Sequence, residues 1–308
     1  MVRRCLSEPR VWGALLLVVM ASPAGAQDLE PRAYAASPVG AFFLVAGLSR
    51  STGAVVTEPT LPVQNIDATI YAAPLAAGYT FGLLGKLALV TVMVPVSRGE
   101  VAGEVGEATR SVTRSGLVDM RAKFSINLRG NPAMGARAFA TAPRKVVIGS
   151  SVTVVAPTGQ YSGAQLINLG SHRWAFKPEV GIGVPKGRWD FDAYLGVWLF
   201  SANDDFFPGS QRRSQDAVLA AQAHTSYTFR PRLWVAVDGT WYHGGAARLN
   251  DGPPIAEMNN ARLGATVSLP LGRSQSIKVA YSGGVSVRTG TNFHTLSVGW
   301  QWLRLTQP

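Results

Sequence analysis

Side chains along most of this chain alternate in character with a period of two. Ile277, Val279, Tyr281, Gly283, Val285 and Val287 interleave with Lys278, Ala280, Ser282, Gly284, Ser286 and Arg288. Val118, Met120, Ala122, Phe124, Ile126 and Leu128 interleave with Asp119, Arg121, Lys123, Ser125, Asn127 and Arg129. Leu233, Val235, Val237 and Trp241 do the same with Ala236, Asp238, Thr240 and Tyr242. On a strand successive side chains point to opposite faces, so each segment has one apolar and one polar face. The pattern predicts about twelve such strands, roughly 41–52, 66–81, 86–97, 117–129, 145–158, 174–185, 189–203, 215–229, 232–244, 259–269, 275–288 and 292–303.

The apolar faces can meet inside a soluble sandwich or turn outward to lipid in a barrel. Periodicity alone does not choose between these, but the first residues bear on it. Arg3, Arg4 and Arg10 precede the apolar run Val11–Ala21, Pro23 breaks that run, and Ala24-Gly25-Ala26 is a small-residue cleavage site. This reads as a secretory leader over 1–26, with the mature chain starting near Gln27. An anchor helix needs about 20 apolar residues, and this run is shorter. The later runs Val39–Leu48 and Leu87–Val96 are shorter still. An exported chain of this kind can enter a membrane only as a closed barrel. The one cysteine, Cys5, leaves with the leader, which excludes thiolate chemistry and disulfide staples. Removing three arginines and one glutamate with it leaves a net charge of +9.

Charged residues make up 15% of the chain, against about 25% in a typical soluble domain. Connections alternate in length. Short links fall at 83–85, 186–188, 230–231 and 272–274, and long ones at 53–65, 98–116, 159–173, 204–214 and 245–258. Outer-membrane barrels have short periplasmic turns and longer external loops. The long link 130–144 breaks the rule, and a short helix is one way to fill it. Phe42, Tyr79, Phe81, Trp174, Trp189, Tyr227, Phe229, Trp234, Trp241, Trp300 and Trp302 sit near strand ends, as girdle aromatics do. The expected fold is an all-β antiparallel transmembrane barrel over 41–308, preceded by a periplasmic lead-in over 27–40. An insert into the lumen is the other reading of that lead-in.

On the barrel reading the polar faces line the lumen. The candidates are Asp119, Arg121, Lys123, Lys177, Glu179, Asp190, Asp192, Asp238, Arg262, Lys278 and Arg288, with His224 beside them. Cations outnumber anions, so the lining would favour anions if it is open. The alternative is a polar network that packs a narrow lumen shut. One external loop carries Asp204, Asp205, Phe206, Phe207, Arg212 and Arg213. Its two phenylalanines are read as folding over the mouth. The arginine pair would be solvated or would touch lipopolysaccharide phosphates. The acidic residues match no complete calcium loop.

No metal-ligand cluster or cofactor motif is legible, and Gly181-x-Gly183-x-x-x-Gly187 fits close packing and a turn rather than a nucleotide loop. His243 and His294 fall near strand ends, but no serine–histidine pair can be read around them. The chain is therefore read as a non-enzyme, with a lipid-modifying barrel enzyme as the remote alternative. The dispersed, strand-facing cations argue against nucleic acid as a partner.

Several stretches resemble one family of exported bacterial proteins, the phenol-degradation meta-pathway family. They include Asp28–Tyr34, Pro38–Gly40, Arg110–Asp119, Gly159–Tyr161, Leu166–Gly170, Arg173–Glu179, Ala202–Phe207, Tyr227–Pro231, Arg262–Thr266 and Leu269-Pro270. The resemblance implies an outer-membrane barrel in the style of channels for hydrophobic compounds, and it brings no catalytic residues. One departure is the C-terminus, where Trp300 and Trp302 are followed by a short tail rather than ending the chain. The expected job is passive passage of a small hydrophobic, aromatic or anionic solute across the Gram-negative outer membrane. A closed-lumen structural or adhesive barrel is the alternative. The expected partners are outer-membrane lipid and lipopolysaccharide, the barrel assembly machinery and the solute.

Overall fold

A computed structural model describes residues 29–56, 63–105, 108–255 and 257–306; the leader read from the sequence lies outside them. The wall contains β1 (Ala41–Val56), β2 (Val63–Leu83), β3 (Lys86–Val105), β4 (Ala108–Leu117), β5 (Met120–Arg129), β6 (Val147–Ala156), β7 (Ala175–Lys186) and β8 (Trp189–Phe200). It continues through β11 (Val218–Arg230), β12 (Leu233–Gly244), β14 (Met258–Leu271), β15 (Gln275–Ser286) and β16 (Gly290–Leu305). The short strands β9 (Asn203–Phe206), β10 (Gln211–Gln215) and β13 (Ala247–Leu249) form a separate three-stranded sheet in the loops the sequence reads as external.

Every neighbouring pair in the wall is antiparallel. The barrel closes where β1 pairs with β16 from Ala41↔Leu305 to Val56↔Gly290. One half of β3 pairs with β5 and the other with β4, so β4 and β5 serve as one staggered strand. Counted this way the closed barrel has the twelve strands the alternation predicts. No helix among the described residues is long and apolar enough to cross a membrane. The strands alone complete the backbone hydrogen bonding that a hydrocarbon layer demands.

The pleat sets which faces point out. Leu48 is opposite Val298, and both are exposed on the outer wall. Ala122, Phe124, Ile126 and Leu128 turn out while Lys123, Ser125 and Asn127 turn in. Val237, 65% exposed at mid-strand, is flanked by outward Thr225 and Ala265. Replacing it as Val237→Arg places a charge at the height of the bilayer centre. The expected loss is about 2–4 kcal/mol in chemical unfolding from lipid, measured against wild type.

Three features depart from the sequence reading. The segment 98–116 is not a loop: β3 and β4 continue as a hairpin, with Val101 opposite Val112 and Arg98 opposite Ser115. Beyond the membrane neither face must be apolar, so the alternation that marks a strand fades there. The link 130–144 carries the short helix α1 (Ala136–Thr141) and folds back under the β2–β3 turn, with Ala133 N–H donating to Gly85 O at 3.0 Å. That turn has positive φ at both Leu84 and Gly85, the hairpin geometry that suits twisted strands. Trp234 is no girdle residue; it faces inward and is buried.

Candidate functional site

The lumen has two unlike walls. The inward positions of β1, β2, β3 and β16 carry no charge among the described residues. They include Phe43, Val45, Pro74, Ala76, Met93 and Pro95. The opposite wall, from β5 through β15, holds the ionised groups.

On that wall Lys177 and Glu179 lie two residues apart on β7, so both point inward, and Nζ meets Oε2 at 2.9 Å. Lys123 Nζ reaches Glu179 Oε1 at 3.9 Å from the side of β5. Around the barrel at one height, register opposes Asp192 to His224 and His224 to Asp238. His224 Nδ1 lies 2.7 Å from Asp238 Oδ1, and Thr266 Oγ1 donates to Asp238 Oδ2 at 2.8 Å. Both His224 and Asp238 side chains are fully buried. In surroundings of low dielectric such bonds are strong, and stranding one partner is expensive.

The segment before β1 lies against this charged wall, so its contacts are those of a lumen insert, the second of the two sequence readings. Leu29 covers Gly264, where a Cβ would come within 2.3 Å of its Cδ1. Glu30 bonds to Lys123. The Lys123 charge, opposed by burial, holds the Glu30 carboxyl down at about 2. Arg32 Nε donates to Ser226 Oγ at 2.8 Å and Nη2 to Thr228 Oγ1 at 2.7 Å. The same guanidinium pairs with Asp190 at 2.8 Å and lies 4.7 Å over the Trp234 ring. Burial lowers the Arg32 pKa, and the Asp190 charge opposes that.

Tyr34 sits deepest. Its hydroxyl donates to Glu179 Oε1 at 3.1 Å and lies 3.0 Å from Ser151 Oγ. Its ring meets Tyr194 edge-on at 5.3 Å. The ring fits because Gly149 and Gly181 lie beneath it; a Cβ on either would come within 2.1 and 2.4 Å of ring carbons. Burial, then Glu179, push the Tyr34 pKa up, so it remains a neutral donor. The insert is tied at its base by Val39 N–H to Met134 O and Gly40 N–H to Thr80 O, both 2.8 Å. The long link 130–144 thus has a structural part to play: it holds the insert where it enters the barrel.

Of the sequence candidates, Arg121, Lys123, Lys177, Glu179, Asp190, Asp192, Asp238, Arg262 and Lys278 face the lumen. Arg262 donates to Phe293 O at 2.8 Å and Ser282 Oγ at 3.2 Å. Lys278 lies 5.7 Å from the Trp234 ring centroid. Asp119 is better described as a loop clamp: it accepts from Gly159 N–H at 2.9 Å and from Ser171 N–H at 2.8 Å. Arg288 is not a lumen residue. β15 ends at Ser286, and the Arg288 side chain is exposed near Glu257, 3.8 Å away.

In the external loop Arg212 is exposed and paired with Asp204 at 3.1 Å and Asp251 at 3.0 Å. Arg213 is buried against Phe206, so it is not a solvated residue. Phe206 is buried and Phe207 half-buried. The Asp205 carbonyl accepts from Tyr161 Oη at 2.9 Å. The residues that sequence reasoning missed are Glu30, Arg32, Tyr34, Arg173, Tyr194 and Arg144, which pairs with Asp190 beside Arg32. Glu30, Arg32 and Tyr34 do alternate in the sequence, but the run is too short to signal a strand or a site.

The two outer-wall histidines contact aromatic side chains and an acid. His294 Nδ1 is 2.7 Å from Tyr281 Oη. His243 stacks on Trp241 and lies 3.9 Å from Glu257.

These features belong to a channel-like outer-membrane barrel with an internal N-terminal insert. Residues 64–302 match the family described as "Putative MetA-pathway of phenol degradation", and the chain belongs to that family. The fold is similar to an outer membrane channel from Pseudomonas putida F1, with TM-score 0.72 and 21% identity over 90% of this chain and 100% of that one. It is also similar to the transport unit of the autotransporter AIDA-I from Escherichia coli, with TM-score 0.50 and 10% identity over 93% and 95%. No curated protein gives a match.

Proposed function

We propose that this protein is a non-enzymatic outer-membrane channel that lets small solutes pass passively, with a route between the N-terminal insert and the uncharged wall. The observation that carries this reading is the division of the lumen. The insert occupies the charged side through Glu30, Arg32 and Tyr34. The side left facing it is lined by Phe43, Val45, Pro74, Ala76 and Met93. An apolar wall opposite fixed charges suits a solute with an apolar or aromatic body and a polar or anionic end. The leader read from the sequence and the lipid-facing outer wall support placement in the outer membrane, with lipid and lipopolysaccharide around it and the barrel assembly machinery as its insertase.

The test is flux through the purified barrel in liposomes and planar bilayers, after an unboiled gel sample has shown the faster migration of a closed barrel. Steady conductance and uptake of small aromatic solutes are the expected result. A correctly folded barrel that passes neither ions nor solute would overturn the reading. The insert itself favours one second reading, a lumen held shut as a structural barrel. That reading requires zero flux in wild type and measurable flux once the insert is released.

A further inference from the structure

The external end of the lumen holds two buried guanidinium groups, and among the described residues no carboxylate bonds to either. Arg173, just before β7, is 3% exposed, and Arg213, on β10, is 5% exposed. Arg173 Nη2 donates to Gln215 Oε1 at 2.6 Å, while Nη1 meets no acceptor. The guanidinium of Arg173 lies 4.3 Å over the Phe200 ring, and that of Arg213 lies 5.6 Å from the Phe206 centroid. The neighbouring acids are engaged elsewhere. Asp204 and Asp251 pair with exposed Arg212. Asp119, whose charge does act on Arg173, has its oxygens on Gly159 and Ser171.

Taking two like charges out of water with no counter-charge bonded to them is costly. Burial, then the charge of Arg213, lower the Arg173 pKa to about 9. Burial lowers Arg213 to about 10. A bound anion would relieve both. Arg173 precedes Ala175 by two residues and shares its inward direction. Beneath it Trp198, Val218, Tyr242, Phe200 and Met258 form an apolar cluster. Lys177 lies 5.4 Å from the Trp198 ring at the far side of that cluster.

We propose that Arg173 and Arg213 form an anion site at the outer mouth, taking the carboxylate of a small solute whose aromatic body rests on half-buried Phe200. The inference rests on the channel reading and names its substrate class. Arginine presents paired N–H donors that match a carboxylate, and a guanidinium face stacks on rings. A lipid headgroup phosphate shares the charge. The burial of both arginines at the barrel mouth favours a small solute.

The experiment is calorimetric titration of benzoate into the purified barrel in neutral detergent, with benzyl alcohol as the uncharged match and inorganic phosphate as the headgroup probe. Wild type should bind benzoate saturably and benzyl alcohol not at all. Arg173→Gln and Arg213→Gln should each weaken benzoate at least about tenfold, and Arg212→Gln should stay within about twofold. Removing an unpaired buried charge should leave the gel shift intact. If Arg173→Gln does not fold, Arg213→Gln decides alone. Equal binding of the alcohol, an equal loss in Arg212→Gln, or phosphate binding more tightly than benzoate would each overturn the proposal. Binding does not need an open lumen. Absent flux with benzoate binding intact therefore counts against the channel reading and leaves the site standing.

Discussion

Arg32→Ala combined with Tyr34→Ala raises single-channel conductance above wild type while leaving the gel shift of the folded barrel unchanged. The reason is the small margin that keeps the insert in place. Ordering its roughly eight residues from Leu29 to Ala36 costs about 1–2 kcal/mol each in backbone freedom. Against that stand a few specific contacts. Arg32 makes two hydrogen bonds and an ion pair with Asp190, and hydrogen bonds to charged groups are each worth about 1.5–3 kcal/mol. Tyr34 adds its two hydroxyl contacts and its packing on Tyr194. Removing both side chains leaves the Glu30–Lys123 pair, the Ala33 N–H bond to Tyr194 Oη, the Asn127 bond to the Tyr34 carbonyl and the ties at the base, which together fall short of that ordering cost. The barrel wall keeps its full ladder, so it stays closed.

Two companion measurements separate release of the insert from other causes. Gly149→Ala or Gly181→Ala, with the insert intact, should raise conductance in the same direction, because the added Cβ would overlap the Tyr34 ring. Acid should not do so above about pH 4. Glu30 is depressed from 4.5 to about 2, so its contribution is complete above 4.5 and is lost only as pH falls through about 2. Unchanged conductance in the double variant would show that the route does not run past the insert.

The fold was legible because lipid imposes a strict rule on each strand. A residue such as Val237 must be apolar and its neighbour Asp238 must turn away, and that repeats wherever a strand crosses the membrane. The rule lapses outside the bilayer, which is why the 98–116 hairpin read as a loop and why Arg288 was assigned to a strand that had already ended. The lumen candidates were legible in direction and not in partner. Alternation shows that Lys177 and Glu179 point inward, yet nothing in it says that Tyr34 arrives from some 145 residues earlier in the chain to bond Glu179. Arg213 was misplaced for the same reason. Arg212 and Arg213 are adjacent and identical in type, and only the pairing of β10 with β9 and β13 sends one to Asp204 and Asp251 and the other inward.

Asp238→Ala is expected to destabilise the barrel by about 3–5 kcal/mol, the largest loss of any single substitution on the lumen wall. The carboxylate has no solvent contact and accepts from Thr266 on one oxygen while His224 holds the other. Truncation strands both partners in a place that water does not reach. Thr266→Val, which removes one neutral donor, should cost only about 1 kcal/mol. His224→Ala with Asp238→Ala should be less damaging than the sum of the two single changes, because no partner remains to be stranded. Urea unfolding in detergent, read by the loss of the fast-migrating band, gives all four numbers. A cost for Asp238→Ala below about 0.5 kcal/mol, the level of an ordinary surface change, would show that the pair contributes nothing. The expected size has a structural origin. Asp192, His224 and Asp238 are direct register partners on three successive strands. A slip of one residue in β12 would send Asp238 into lipid and Val237 into the lumen, so the same contacts that stabilise the wall also fix its register.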